Sequence, residues 1–188
     1  MTDASPTEHF EHVEHAEHAA HSRDSFLALV SVTITILAVL AASVGSLETI
    51  ETAATINAKN DAVLLQNRAT DTWNFFQAKS IKKNMYQIAA AAGTGTVDDF
   101  KSQAKRYGTD EKDLQEKGES LEHQTEAKLL ESERHEHRHS VLTVSVTLLH
   151  VAIAIATLAI VMRGVRWPWY GALVLGTLGI VGTAMAYL

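Results

Sequence analysis

The chain has 188 residues, of which 22 are acidic and 16 are basic, and its formal net charge is −6. It contains no cysteine, which excludes disulfides, thiol nucleophiles and thiolate metal sites. The acidic tail and the mixed-charge middle of the chain both lack the basic patch that a nucleic-acid surface needs, so we predict no nucleic-acid partner.

Residues 1–24 form an acidic tail that is rich in histidine. It holds six acidic residues and one arginine. Its five histidines recur at every third position: His9, His12, His15, His18 and His21. Side chains three residues apart are neighbours on a helix, so adjacent pairs are candidate ligands for Zn, Ni or Cu. The alternatives are a solvated tail whose charge changes between about pH 5 and 8, and a weakly amphipathic helix at the membrane surface.

Three later stretches predict transmembrane helices. Residues 25–47, 140–162 and 167–188 contain no Asp, Glu, Lys or Arg. About 20 helical residues cross a hydrocarbon core of about 30 Å, so each stretch is long enough to span. A chain of this size lacks the apolar mass to bury three such helices in a soluble core. We therefore predict an all-α integral membrane protein whose main partner is the lipid bilayer.

Between the first two spans, residues 48–139 predict an antiparallel helical hairpin that resembles a coiled-coil stalk. No Pro or Gly occurs from 47 to 92, so the first span is expected to continue into the outgoing arm. The glycine-rich run 93–96 ends that arm, and the capping-box spacing of Thr96 and Asp99 starts the return helix. We expect Gly108 to interrupt the return helix, which then continues into the second span. Small and apolar residues share one face of the outgoing arm: Ala58, Ala62, Leu65, Ala69, Trp73 and Phe76.

The aromatic block of the hairpin favours self-association. Trp73, Phe75 and Phe76 are too close in sequence for all three to face one partner helix. They are expected to cover the contact within the hairpin and a contact with a second copy, together with Leu65 and Ala69. We therefore predict a homo-oligomer; the alternative is a monomer with a partly exposed hairpin.

The same block carries a family resemblance. The stretches Leu64-Leu65-Gln66-Asn67-Arg68-Ala69 and Trp73-Asn74-Phe75-Phe76-Gln77-Ala78-Lys79-Ser80-Ile81-Lys82 resemble the signature of domain-of-unknown-function family 4337, a bacterial membrane family. The resemblance implies a location in the bacterial inner (cytoplasmic) membrane. It implies no activity.

The basic turn 163–166 orients the chain. It joins the second and third spans, and its Arg163 and Arg166 predict a cytoplasmic loop, because short cytoplasmic loops are enriched in Lys and Arg. By crossing parity the N-terminal tail is cytoplasmic and the hairpin extracytoplasmic. The tail histidines and those at 135–139 therefore lie on opposite sides of the membrane.

The remaining candidate residues lie in or next to the last two spans. His135 and His139 share a helical face and are candidate metal ligands, although two ligands do not complete a site within one subunit. His150 is an ionisable residue deep in a span, which is a functional hypothesis by default. Its alternative role is a hydrogen bond to Thr33, Thr35 or Thr183 on a facing helix. In the third span, Gly176 and Gly179 favour close helix packing.

No catalytic motif is present. We find no phosphate-cradling loop, no nucleophile elbow and no zinc-protease pair. We therefore predict a non-enzymatic membrane protein that self-associates as a scaffold or interaction protein. The alternatives are a transition-metal- or proton-responsive membrane protein that uses the histidine clusters, and an accessory subunit of a larger membrane complex.

Overall fold

A computed structural model describes residues 25–93, 95–162 and 165–188. Three helices account for the regular structure of these residues: α1 (Ser25–Ala91), α2 (Val97–Val161) and α3 (Trp167–Met185). The predicted all-α class is confirmed for the described residues. The tail 1–24, with its five candidate metal-binding histidines, lies outside them.

The two long helices each join a predicted span to a predicted hairpin arm. α1 has 67 residues and α2 has 65, both without a break. The expected interruption at Gly108 was wrong. One interior glycine costs a helix about 1 kcal/mol, and here α2 is supported by its contact with α1, where a Cβ on Gly108 would lie 3.5 Å from Lys83 Cδ.

The glycine-rich turn ends α1 where the sequence predicts. Gly93 and Gly95 have φ values of 67° and 79°, a left-handed conformation that glycine adopts without steric cost. The amide groups of Asp99 and Phe100 then donate to the Thr96 carbonyl oxygen at 3.1 and 3.2 Å. The backbone of Thr96 therefore accepts the first hydrogen bonds of α2.

The chain divides into two compact units. The first unit combines the chain up to Ala53 with Arg134–Leu188, and the second is Ala54–Glu133. Both α1 and α2 contribute to each unit, while α3 belongs to the first unit alone.

The first unit is a three-helix bundle with a core of small and branched apolar side chains. Its core includes Val30, Ile34, Leu37, Leu142, Leu149, Ala152, Ala156 and Ala172. The predicted small-residue face of α3 packs against the other two helices. A Cβ on Gly176 would lie 2.7 Å from Leu37 Cδ2, and one on Gly179 would lie 3.0 Å from the Ser145 carbonyl oxygen. These two glycines therefore serve helix packing within one chain.

In the second unit α1 and α2 run antiparallel. Trp73 hydrogen-bonds Glu122, whereas Lys83, further along α1, pairs with the earlier Glu111 of α2. Buried small residues recur at seven-residue spacing on both helices: Ala62 and Ala69 on α1, and Gly118, Thr125 and Ser132 on α2. This repeat keeps one face of each helix on its partner along the unit.

Candidate functional site

Charged and polar side chains from α1, α2 and the end of α3 converge in the first unit. Glu48 and Glu51 are the first charged residues after the apolar stretch of α1, and they meet residues that precede the apolar stretch of α2. The chain that follows α3 adds Tyr187. We call this group the ionic cluster, and its members are Glu48, Glu51, Thr52, His135, Arg138, His139, Thr143 and Tyr187.

Glu51 is the buried centre of the ionic cluster, because the residue is only 5 % exposed. Its Oε2 lies 2.5 Å from His135 Nδ1 and its Oε1 lies 3.9 Å from an Arg138 guanidinium nitrogen. The side chain of Tyr187 lies near Glu51, and the Arg138 guanidinium lies 5.3 Å from the centre of the Tyr187 ring. A buried carboxylate is costly unless it is paired. His135 and Arg138 supply the pairing, and Tyr187 brings the chain that follows α3 to the same place.

A second set of contacts surrounds His139. Thr52 Oγ1 donates to the Glu48 carbonyl oxygen at 2.9 Å and lies 3.0 Å from His139 Nδ1. Thr52 Oγ1 and His139 Nδ1 are within hydrogen-bond distance, and the tautomer of the imidazole determines which of the two donates. On the other side of the cluster, Thr143 Oγ1 lies 2.5 Å from Glu48 Oε1.

The contact with Glu51 indicates that His135 carries a hydrogen on Nδ1. It donates this hydrogen to a carboxylate, which can only accept. Within the described residues no hydrogen bond involves Nε2 of His135 or of His139. When the His135 ring is neutral, its Nε2 is therefore a lone-pair nitrogen, which can accept a proton or bind a metal ion.

His135 and His139 lie one turn apart on α2, and each has an acidic partner on α1 that was not predicted from the sequence. A sequence signal was present, since the predicted topology put residues 48–51 on the same side of the membrane as 135–139. In the described part of the chain, no group of three or more His, Asp or Glu side chains is arranged to hold a metal ion. The metal sites therefore stay predictions.

The predicted interaction residues of the hairpin separate onto two faces of α1. Leu65, Ala69, Trp73 and Phe76 are buried or half-buried on the side that packs against α2. Trp73 Nε1 donates to Glu122 Oε1 at 2.8 Å, and its ring makes an edge contact with Phe76 at 5.4 Å between centroids. Phe75 is 64 % exposed. One partner helix therefore does not cover all three aromatic residues, as expected.

Away from α2, α1 presents a face that the sequence analysis did not single out. Ten exposed positions alternate at spacings of four and three and contain no charge: Ile56, Asn60, Val63, Asn67, Thr70, Asn74, Gln77, Ile81, Asn84 and Ile88. We call these ten residues the uncharged stripe. The stripe lacks the apolar pattern that reveals a contact face, because six of its ten members are polar. The usable signal was the absence of charge in a segment whose other exposed positions include Lys59, Asp61, Arg68, Asp71 and Lys82.

His150 lies on an exposed face of α2 within the first unit. Of the three threonines proposed as its partners, Thr33 accepts a hydrogen bond from Trp169 Nε1 at 3.2 Å. Thr35 and Thr183 donate to carbonyl oxygens of their own helices.

The fold defines an all-helical protein in which three helices are long and apolar enough to cross a membrane. The chain belongs to the domain-of-unknown-function family DUF4337, whose sequence model matches residues 26–188. This match confirms the family that the Trp73–Lys82 block indicated. No curated protein and no solved structure matches the chain.

Proposed function

We propose that this protein is a non-enzymatic scaffold of the bacterial inner membrane that self-associates through the uncharged stripe of α1. The single observation that carries the proposal is the stripe itself. Ten exposed positions without a charge extend over 33 residues of a segment that is otherwise rich in charge.

The surface of the first unit supports the membrane location. Large apolar side chains cover its outer face, among them Val32, Ile36, Val39, Val151, Val174 and Leu178. Contiguous apolar surface of this extent is unfavourable in water but is the ordinary surface of a helix in lipid. The two arginines of the basic segment 163–166 favour a cytoplasmic N-terminus, with the second unit as an extracytoplasmic stalk.

The composition of the uncharged stripe favours a second copy of this chain as its occupant. The buried centres of protein interfaces are depleted in charged residues. The spacing of four and three is that of the contact positions in a coiled coil, where asparagine pairs with asparagine and fixes the register of the helices. The stripe has Asn60, Asn67 and Asn74 at successive seven-residue intervals, so another copy offers matching partners.

Two matched substitutions test self-association. Ile81 is a member of the uncharged stripe and is 59 % exposed, while Leu130 is 54 % exposed and lies on α2, outside the stripe. In native mass spectrometry from mild detergent, we expect the wild type to be an oligomer and Ile81→Asp to shift towards monomer, because a charge would be buried without a partner. Leu130→Asp should keep the wild-type stoichiometry. A monomeric wild type, or an Ile81→Asp variant that assembles normally, would contradict the proposal.

A metal- or proton-responsive role is the second candidate, and the lone-pair Nε2 of His135, with His139 one turn further along α2, favours it. Calorimetry with Zn²⁺ and Ni²⁺ tests the metal form of this role on the wild type and on a His135→Gln/His139→Gln variant. Binding heat that disappears in the variant would support it, and absence of heat in the wild type would exclude it. Replacing the five tail histidines by Gln should leave assembly unchanged if the protein is a scaffold.

The same mass spectra address the accessory-subunit alternative. Under the scaffold proposal, the intact assembly has a mass that is a whole multiple of this chain. A second protein present at fixed stoichiometry would instead support a role in a larger membrane complex.

A further inference from the structure

The second unit contains an open groove with a volume of about 970 Å³. Lys101, Lys105 and Lys112 line it from α2, and Lys83 lines it from α1. The three lysines of α2 are spaced by four and seven residues, which places them on one helical face over about 16 Å. We call this feature the lysine groove.

Most of the positive charge in the lysine groove has no partner. The Lys83 ammonium is paired with the Glu111 carboxylate, and that hydrogen bond holds the pKa of the Glu111 carboxyl below its usual value. Lys101, Lys105 and Lys112 form no ion pair or hydrogen bond through their side chains with any residue of the described chain. The groove therefore presents three uncompensated ammonium groups.

Two of the nearby acids, Asp110 and Glu111, are held by lysines of α1. Asp110 pairs with Lys79 at 2.6 Å, and Glu111 pairs with Lys83. Each of these carboxylates is a neighbour of the lysine row in sequence, yet each is engaged by a lysine of the opposite helix. The fold thus separates positive charges from acids that lie beside them in the sequence.

The space in the groove comes from small residues on its walls: Ala90, Ala91, Ala104 and Gly108. A Cβ on Gly108 would meet only the Lys83 side chain, at 3.5 Å. Gln87, Thr109 and Gln115 add polar side chains to the lining. A ligand of several linked polar groups therefore finds both room and hydrogen-bonding partners.

We propose that the lysine groove binds an oligophosphate, meaning a chain of linked phosphate groups. Lysine engages phosphate as a compact point charge. A row of three ammonium groups matches a ligand that carries several negative charges along its length.

The test uses the full-length protein in detergent, with sodium tripolyphosphate as the probe and calorimetry at low salt as the measurement. We expect the wild type to bind tripolyphosphate with an affinity that falls as the salt concentration rises, because the added ions screen the attraction between ammonium and phosphate groups. A Lys101→Gln/Lys105→Gln/Lys112→Gln variant should bind at least about tenfold more weakly, a difference of about 1.4 kcal/mol. Lys117→Gln is the matched control, since this exposed lysine lies on another face of α2 and outside the groove lining.

A second variant tests whether binding needs the space of the groove as well as its charge. Gly108→Leu keeps all four lysines but fills the space beside Lys83, so it should also weaken binding. Circular dichroism checks that both variants keep their helix content. Absence of binding in the wild type, or equal loss in the triple variant and in Lys117→Gln, would overturn the proposal.

Two further probes establish the ligand chemistry. Citrate supplies a multivalent carboxylate, and equal affinity for citrate would overturn the preference for phosphate. Vesicles of anionic phospholipid supply phosphate from a headgroup. The protein could instead bind the vesicles but not tripolyphosphate, in a way that requires the three lysines. That result would overturn the soluble oligophosphate and identify a lipid surface as the ligand.

Discussion

Glu51 is a charged side chain that the fold removes from water beside an otherwise apolar bundle. His135, Arg138 and Tyr187 surround it, and they come from α2 and from the chain after α3. Because each partner is distant in sequence, the cluster forms only when all three helices are in place. The pairing of the Glu51 carboxylate therefore depends on the packing of the whole first unit.

Glu51→Gln should destabilise the first unit. The amide keeps the size of the side chain but removes the negative charge that pairs with His135 and Arg138. Losing a hydrogen bond at a buried group costs about 1–3 kcal/mol, so the melting temperature measured by circular dichroism in detergent should fall. Glu133→Gln serves as the control, because Glu133 is exposed and unpaired among the described residues. Equal melting temperatures for the two variants would contradict a structural role for Glu51.

Gly118 limits the distance between α1 and α2 beside Trp73. A Cβ at this position would lie 2.9 Å from Trp73 Cε2, and an indole ring cannot bend away as a flexible chain can. Gly118→Val should therefore destabilise the second unit by about 1–3 kcal/mol and change the fluorescence of Trp73.

Gly45→Ala is the control for Gly118→Val. A Cβ on Gly45 meets nothing within 4 Å, so only the helix propensity changes, by about 1 kcal/mol in favour of alanine. An unaltered melting transition in Gly118→Val would show that the two helices can move apart without cost.

At the scale of the helices, the sequence predicts where helices end more accurately than it predicts the contacts between them. The turn was predictable because Gly93 and Gly95 end a long segment without helix breakers. The burial of Ala58, Ala62 and Ala69 followed from their spacing. The partners of Glu51 did not follow, because they depend on the register of α1 against α2. The sequence does not encode that register locally, since it results from packing along both helices and from the geometry of the turn.

The ion pairs of Asp110 and Glu111 make the contact between α1 and α2 sensitive to acid. The Lys79 ammonium lowers the pKa of the Asp110 carboxyl from 3.8, and Lys83 lowers that of Glu111 from 4.5. A lowered folded-state pKa contributes stability that is present above the unfolded value and is lost as the pH falls through the folded value. The stabilisation should therefore be complete near neutral pH and disappear in strong acid.

A Lys79→Gln/Lys83→Gln variant tests this pH dependence. Its melting temperature should lie below that of the wild type near neutral pH, and the difference should shrink as the pH is lowered through about 4 and below. Lys117→Gln, on another face of α2, should show no such convergence. A difference that stays constant between neutral and acid pH would show that the two lysines stabilise the contact by packing of their side chains rather than by charge.

At the scale of the whole molecule, the two units have surfaces of opposite character. The exposed face of the first unit is rich in Val, Ile and Leu, whereas the exposed residues of the second unit include most of the charges of the described chain. The sequence predicted this division, because a run of about 20 uncharged residues is a strong signal of a span. It did not predict the lysine groove or the ionic cluster, which arise when residues distant in sequence are brought onto one surface. The uncharged stripe lies on α1 alone and was overlooked because most of its members are polar.

The three predicted spans imply a topology that cysteine labelling can test, and the chain suits the test because it has no cysteine of its own. If α1 crosses the membrane once, the tail and the second unit are expected on opposite sides of it. In intact spheroplasts, a membrane-impermeant maleimide should label Ser102→Cys, an exposed position of the second unit, and should label Ser5→Cys only after permeabilisation. The reverse pattern would retain the three spans but contradict the orientation that the basic turn predicts. Labelling of both positions before permeabilisation would show that α1 does not cross the membrane, and it would remove the separation between the tail histidines and the ionic cluster.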